Sequence, residues 1–168
     1  RAICLHSDVE RKRRHHLELT AASASPVAAG IYTDRSSAET YRHLRDLAES
    51  LLGSGLNTII DATFIRQQAR TLMRQLAEKL RVPLLILDFQ IAAADLERRI
   101  RQRALQADQV SEATLEVLHF QQSRAEPLDR EELKSAIPIT SDMSVAEIAK
   151  RIAGRLREQG RAEDSGPD

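Results

Sequence analysis

The apolar positions of this chain fall into short unbroken runs and longer repeats of helical period, and the two kinds alternate. Ile3, Cys4 and Leu5 lie in a run from Ala2 to His6 that ends in Ser7-Asp8, the pattern of a buried strand entering a polar turn. Val9 to His16 is strongly basic and starts a helix with Asp8 near its positive end. Residues 17 to 32, with Pro26 and Gly30, show no period and read as an irregular excursion. Ser36-Ser37-Ala38-Glu39 has the form of a capping box. Tyr41, Leu44, Leu47, Ala48, Leu51 and Leu52 then recur at helical spacing until Gly53 and Gly55 end the helix. Thr58 to Asp61 is a short β-branched strand whose last residue is acidic. Ile65 to Leu80 is helical, with Ala69, Leu72, Met73, Leu76 and Leu80 on one face. After Pro83, Leu84 to Asp88 reads as a strand covered on both sheet faces.

The second half continues the alternation. Ala92 to Gln106 is a helix crowded with Arg98, Arg99, Arg101 and Arg103, and Ser111 to Ala125 is another, apolar at Leu115 and Leu118. Ile137 to Thr140 is a last strand, and Pro138, lacking a donor, puts it at an edge. Ser144 and Glu147 form a second capping box before a helix carrying Ile148, Ile152 and Leu156. Residues 158–168 are polar and read as a frayed tail. Strands alternating with helices imply βαβ crossovers, hence an α/β fold: a three-layer, doubly wound parallel sheet. Ligands of such sheets sit beyond the carboxyl ends of the strands. Asp8, Asp61 and Asp88 fall there.

Composition narrows the function. The length of 168 residues implies one domain, placed at 1–157. Acidic and basic residues balance at 25 each, which argues against a polyanion-coating protein. Aromatics are 3% and tryptophan is absent, which argues against base-stacking platforms. The single cysteine, Cys4, excludes an internal disulfide and a cysteine-rich zinc site; it reads as a buried small hydrophobe. No apolar run approaches the ~20 residues of a membrane span, and the setting expected is cytoplasmic, with no membrane partner. His15-His16 are adjacent and diverge by ~100° on a helix, and His6, His43 and His119 lack ligand spacing, so no protein-only metal site is expected. Carboxylates at strand ends, combined with an arginine-rich helix, suit phosphoryl transfer. The same aspartates also serve as turn and capping residues in many folds.

Ser-Asp-Val-Glu-Arg-Lys-Arg (7–13), Gly-Ile-Tyr (30–32), Ile-Ile-Asp-Ala-Thr-Phe (59–64) with Arg70, Leu-Glu-Arg-Arg-Ile-Arg-Gln-Arg (96–103) and Arg-Ala-Glu-Pro-Leu (124–128) occur in this order. As a set, spanning residues 2 to about 142, they resemble the ATP-binding, AAA-type P-loop "predicted kinase" family. That domain often follows a part similar to aminoglycoside phosphotransferases. Its wider relatives include chloramphenicol phosphotransferase, zeta toxin, gluconate kinase and polynucleotide 5′-kinase. The resemblance implies ATP and Mg2+ as cofactors and a small-molecule hydroxyl as substrate.

By the same resemblance, Asp8 is the base for that hydroxyl, its alternative being a helix cap. Arg11 and Arg13 bind the substrate, their alternative being a solvated face. Asp61 is the Walker B-type acid that holds magnesium through water, its alternative being a turn cap. Residues 92–126 form an arginine-rich lid whose Arg99 and Arg103 close over the phosphates. Asp142 contacts the nucleotide. Arg70 has an ion-pair alternative, and Arg124 and Glu126 receive no role. The family opens with a strand, a Gly-x-x-x-x-Gly-Lys-Ser/Thr loop and a helix, yet no Gly-Lys pair occurs here. The expectation is therefore a domain lacking its first strand, Walker A loop and first helix, covalently continuous with such a segment. The missing strand would lie between those ending at Asp61 and Asp88. The alternatives are a non-catalytic nucleotide-binding or regulatory module attached to an upstream phosphotransferase, and a nucleic-acid end kinase. Zero net charge argues against the latter.

Overall fold

The computed structural model describes residues 1–19, 30–103 and 114–164. Strand β1 (Ala2–His6) leads directly into helix α1 (Ser7–Arg14), and a 3-10 turn (Gly30–Tyr32) precedes α2 (Asp34–Gly53). Next come β2 (Asn57–Asp61), α3 (Gln67–Leu80), β3 (Ile86–Phe89) and α4 (Ala93–Arg103). Helices α5 (Leu115–Arg124) and α6 (Arg130–Lys134), β4 (Ala136–Ile139) and α7 (Val145–Asp164) complete the order.

The α/β reading holds, and both strand pairs are parallel. The described strands do not join into one sheet: β1 pairs with β2 and β3 with β4. Where one domain over 1–157 is expected, the chain groups into two compact units, 1–80 with 97–127, and 81–96 with 128–168.

In the first unit, α2 and α3 pack on one face of β1–β2, and Leu5, Leu44, Ala48, Met73 and Leu76 form its core. Alternation turns Cys4 and Ile59, partners in register, to the other face, where Cys4 is exposed and Ile59 is 52% exposed. Among the described residues, the helices whose packing on this sheet is seen, α2 and α3, lie on a single face. Cys4, expected in the core, is on the open side. Its thiol is held above its ordinary value, first by desolvation and then by the Asp61 carboxylate, so it is a poor nucleophile.

Several helix boundaries differ from expectation, α3 starting at Gln67 and α5 at Leu115 among them. Helix α2 begins before Ser36: Thr33 is its N-cap and accepts the Ser36 amide at 3.1 Å. Glu39, read as the reciprocal half of a box, pairs instead with Arg14 and Arg35. The end of α2 follows the glycine logic, with Gly55 left-handed at φ 77° and its amide on the Leu52 carbonyl. Helix α6 has no apolar period and was not anticipated, although Asp129 and Glu132 form a complete capping box. Helix α7 does not fray at 158 but runs to Asp164; only 165–168 of the expected tail lie outside the described residues. Its start matches, with Ser144 Oγ accepting the Glu147 amide at 3.2 Å. No helix among the described residues is long and apolar enough to cross a membrane.

Candidate active site

The register of the first sheet sets the site. His6 and Asp61 are partners at the carboxyl ends of β1 and β2, and His6 Nδ1 lies 2.9 Å from Asp61 Oδ2. Both side chains are exposed, at 54% and 69%, so the pair contributes at most ~1 kcal/mol to stability. Asp61 Oδ1 takes no bond from the described residues. Asp8 follows two residues after His6, in the first turn of α1. The N-cap of α1 is His6, without a side-chain cap bond, so Asp8 is not the cap. No described side chain bonds the Asp8 carboxylate. Two carboxylates thus stand at the ends of adjacent parallel strands, where ligands of such sheets bind.

The basic residues of α1 divide. Arg11 is 7% exposed and turned inward. Its Nη1 donates to the Ile31 carbonyl at 3.2 Å and to Ser37 Oγ at 3.3 Å, and its guanidinium lies 5.0 Å from the Tyr32 ring centroid. Arg11 therefore ties α1 to the 3-10 turn and to α2. Lys12, 1% exposed, bonds the Leu19 carbonyl at 2.9 Å. Arg13 is on the surface, 2.6 Å from Glu10, whose other oxygen faces His43 Nε2 at 3.1 Å.

In the arginine-rich helix α4, Arg99 is exposed and pairs with no side chain among the described residues. Arg101 is spent on Glu97 at 3.3 Å. Arg103 ends α4, and its side chain lies outside the described residues, as do residues 104–113. Asp142 belongs to the second unit. A hydrogen bond from the Thr140 side chain first, then one from its own backbone amide, hold its carboxyl below the ordinary value. Among the described residues no three His, Cys, Asp or Glu side chains cluster as metal ligands.

A second network, which sequence reasoning left without roles, surrounds the loop after Asp61. Arg70 is 6% exposed and donates to the carbonyls of Phe64 (2.9 Å), Glu126 (3.1 Å) and Pro127 (3.0 Å). Glu126 accepts the Gln67 amide at 2.6 Å, at the N-terminus of α3, and pairs with Arg66 at 3.1 Å. Arg124 grips Asp34 with both terminal nitrogens, at 3.2 and 3.0 Å. The motif 124–128 carried the signal; its partners, up to 90 residues away, left none.

An Asp61 with one oxygen free and exposed fits a magnesium-bound water. A phosphate cradle is another matter: a Cβ added at Gly53, Gly55 or Gly154 would meet nothing within 4 Å, so none of these glycines makes room for a close ligand. Among the described residues these three glycines form no such cradle.

Parallel strands joined through helices, with acids at the carboxyl ends of the first pair, define an α/β fold. Residues 1–128 match the model of a family described as an AAA domain, and the chain belongs to that family. Among solved structures it is similar to a sugar kinase from Janibacter sp. HTCC2649, determined unliganded. The TM-score is 0.62 at 16% identity, covering 96% of this chain and 82% of that one. That likeness shows the fold. No curated protein matches the chain.

Proposed function

We propose that the chain forms the acceptor side of an ATP-dependent kinase that phosphorylates a small-molecule hydroxyl. One observation carries this reading: Asp8 and Asp61 stand at the carboxyl ends of two parallel strands in register, within a P-loop kinase type of fold. The sugar kinase likeness supports the same class of acceptor. Asp8, whose carboxylate takes no bond from the described side chains, takes the proton of the hydroxyl as its oxygen becomes the nucleophile. Asp61 offers Oδ1 to a metal-bound water while His6 holds Oδ2. Arg99, exposed and unpaired among the described residues, supplies a guanidinium for phosphate oxygens. When bound, ATP donates the phosphoryl group and magnesium screens its charge. Arg11 has no substrate role in this reading, because its guanidinium is committed inside the fold.

In this reading a Walker A-type loop, for which the 168 residues offer no Gly-Lys pair, would have to be supplied from outside them. The strand pairing supports this, since β2 bonds only β1 and β3 only β4 among the described strands. The absence of a Gly-Lys pair also favours a second reading, a nucleotide-binding or regulatory module without transfer activity.

Two measurements decide. Calorimetric titration should show weak or no ATP–magnesium binding by residues 1–168, restored when a Walker A-type strand, loop and helix are added. Tight, micromolar binding by the chain alone would mean the nucleotide site lies elsewhere. In the extended protein, Asp8→Asn should lower turnover about 10²–10⁴-fold with nucleotide affinity kept. Unchanged turnover would remove Asp8 as the base, and no transfer to any hydroxyl acceptor would favour the regulatory module.

A further inference from the structure

Phe64 stands three residues past Asp61 and has a left-handed backbone, φ 45°. For a bulky residue this conformation is strained and persists only where its surroundings enforce it. Here they do so from two sides. Its amide donates to the Tyr41 hydroxyl at 3.1 Å, and the two rings lie 5.2 Å apart. Its carbonyl accepts from Arg70 at 2.9 Å, and Arg70 is in turn locked to the carbonyls of Glu126 and Pro127. The Glu126 amide donates to the Ile65 carbonyl at 2.8 Å, while its carboxylate takes the Gln67 amide and pairs with Arg66. Four consecutive residues, 64–67, are thus each bonded by side chains or backbone of the segment 124–127 or by Arg70. Hydrogen bonds from a charged donor such as the Arg70 guanidinium are stronger than those between neutral groups, and they act against the backbone strain.

We propose that Arg70, Glu126 and Tyr41 are positioning residues for Asp61: they latch the loop that follows β2 to the segment leaving α5, so that the acid and the exit of the arginine-rich region are held as one body. The proposal rests on the kinase reading only in naming Asp61 as the acid served. Strain at Phe64 marks the place where the loop must take one conformation and no other. The latch spans the two ends of the loop: Tyr41 fixes the Phe64 amide next to Thr63, and Glu126 fixes the first amide of α3. Between them they fix the backbone that begins three residues beyond Asp61. Arg124, through its forked grip on Asp34, anchors the same segment to the N-terminus of α2.

The test uses the full chain and three conservative variants: Arg70→Lys, which keeps the charge but loses the fork, Tyr41→Phe and Glu126→Gln. Hydrogen exchange should quicken at least tenfold at the Phe64, Gln67 and Glu126 amides in Arg70→Lys, with β2 and α2 amides unchanged. The ring signals of His6, which report its bond to Asp61, should shift in the same variant. Unchanged exchange at these amides, or a rise spread evenly over the chain, overturns the latch. A loosened loop with unmoved His6 signals overturns the positioning of Asp61. If Arg70→Lys does not fold, Tyr41→Phe and Glu126→Gln are read by the same two signals. In the protein extended with its Walker A-type segment, the variants should lower kcat several-fold with the KM for the acceptor unchanged. Absence of any phosphoryl transfer by that protein removes the kinase reading and leaves the latch to stand or fall on exchange and the His6 signals alone.

Discussion

The two compact units share one plan, a parallel strand pair with helices, yet differ in how far each stabilises itself. Residues 1–80 with 97–127 bury Leu5, Leu44, Ala48, Met73 and Leu76 together and add buried polar side chains, among them Arg11, Thr40 and Arg70. The other unit buries Ile137 and Ile139 among the described residues, while Phe89, Leu133 and Val145 stand 62%, 56% and 83% exposed. Asp8, Asp61 and Arg99 all belong to the first unit, and Asp142 to the second. A site that must hold charged groups in fixed positions needs rigid support, and only the first unit has an interior that supplies it. Apolar side chains stand uncovered in both units, Ile3 and Ile59 in the first among them, but the second has fewer buried ones to set against them, which keeps its local stability low.

The sharpest way to break this contrast is to cut a methylene cluster out of each interior. Leu44 is wholly buried in the first core, and Leu44→Ala should cost about 2–5 kcal/mol and unfold β1, β2, α2 and α3 together. Ile139, 2% exposed, is among few buried neighbours, and Ile139→Ala should release β3, β4 and α7 while amides of α2 stay protected. Native-state hydrogen exchange reads both. Equal protection of the two units, or loss of α2 protection in Ile139→Ala, would show one cooperative body.

The second contrast lies in the caps. Thr33 caps α2 and Ser144 caps α7, each accepting an amide three residues on. Loss of such a cap costs about 1 kcal/mol. Thr33→Ala should therefore lower the global midpoint of denaturant unfolding, because α2 is part of the core. Ser144→Ala should speed exchange in the first turns of α7 and leave that midpoint unmoved. A shared shift of the midpoint would tie α7 into the same cooperative unit.

The sequence made elements legible where periodicity is local. The strand at Ala2–His6 and the acids at its end and at the end of β2 follow from short apolar runs and their polar stops. Caps were legible only in part. Thr33 and Ser36 both suit the position, and Glu39 three residues after Ser36 pointed to the wrong one; its carboxylate had arginines to choose instead. The place of Cys4 was legible in principle, since alternation with Leu5 sends it to the opposite face, but whether that face is covered depends on another layer. The roles of Arg70, Arg124 and Glu126 were not legible, because their partners lie 56, 90 and 59 residues away and no local rule links them. The inward turn of Arg11 has the same origin, in Ile31 and Ser37.

The smallest effect separates two carboxyls, one per unit, that are both held below their ordinary values. Glu39 is lowered first by the hydrogen bond from Arg35, then by the charges of Arg35, Arg14 and Arg42, against an opposing desolvation. Asp142 is lowered first by Thr140 and then by its own amide, with Arg151 a minor cause. A carboxyl depressed in the folded state adds stability that is present above its unfolded value, ~4.3 for Glu and ~3.9 for Asp, and that is lost as pH falls through the folded value. Both contributions should therefore begin to fall as pH drops below about 4, and be gone once it has passed each folded value. Salt distinguishes them. Charges of exposed groups are screened within ~10 Å at 0.1 M, whereas a hydrogen bond from a neutral hydroxyl is not. Carboxyl carbon signals followed through an acid titration should show Glu39 rising toward its ordinary value as salt is added, with Asp142 nearly unmoved. Thr140→Val should raise Asp142 at any salt, and Arg35→Ala should raise Glu39. An Asp142 that responds to salt as Glu39 does would mean that Arg151, not Thr140, holds it, and that the last strand of the second unit ends in an ion pair rather than a hydrogen-bonded turn.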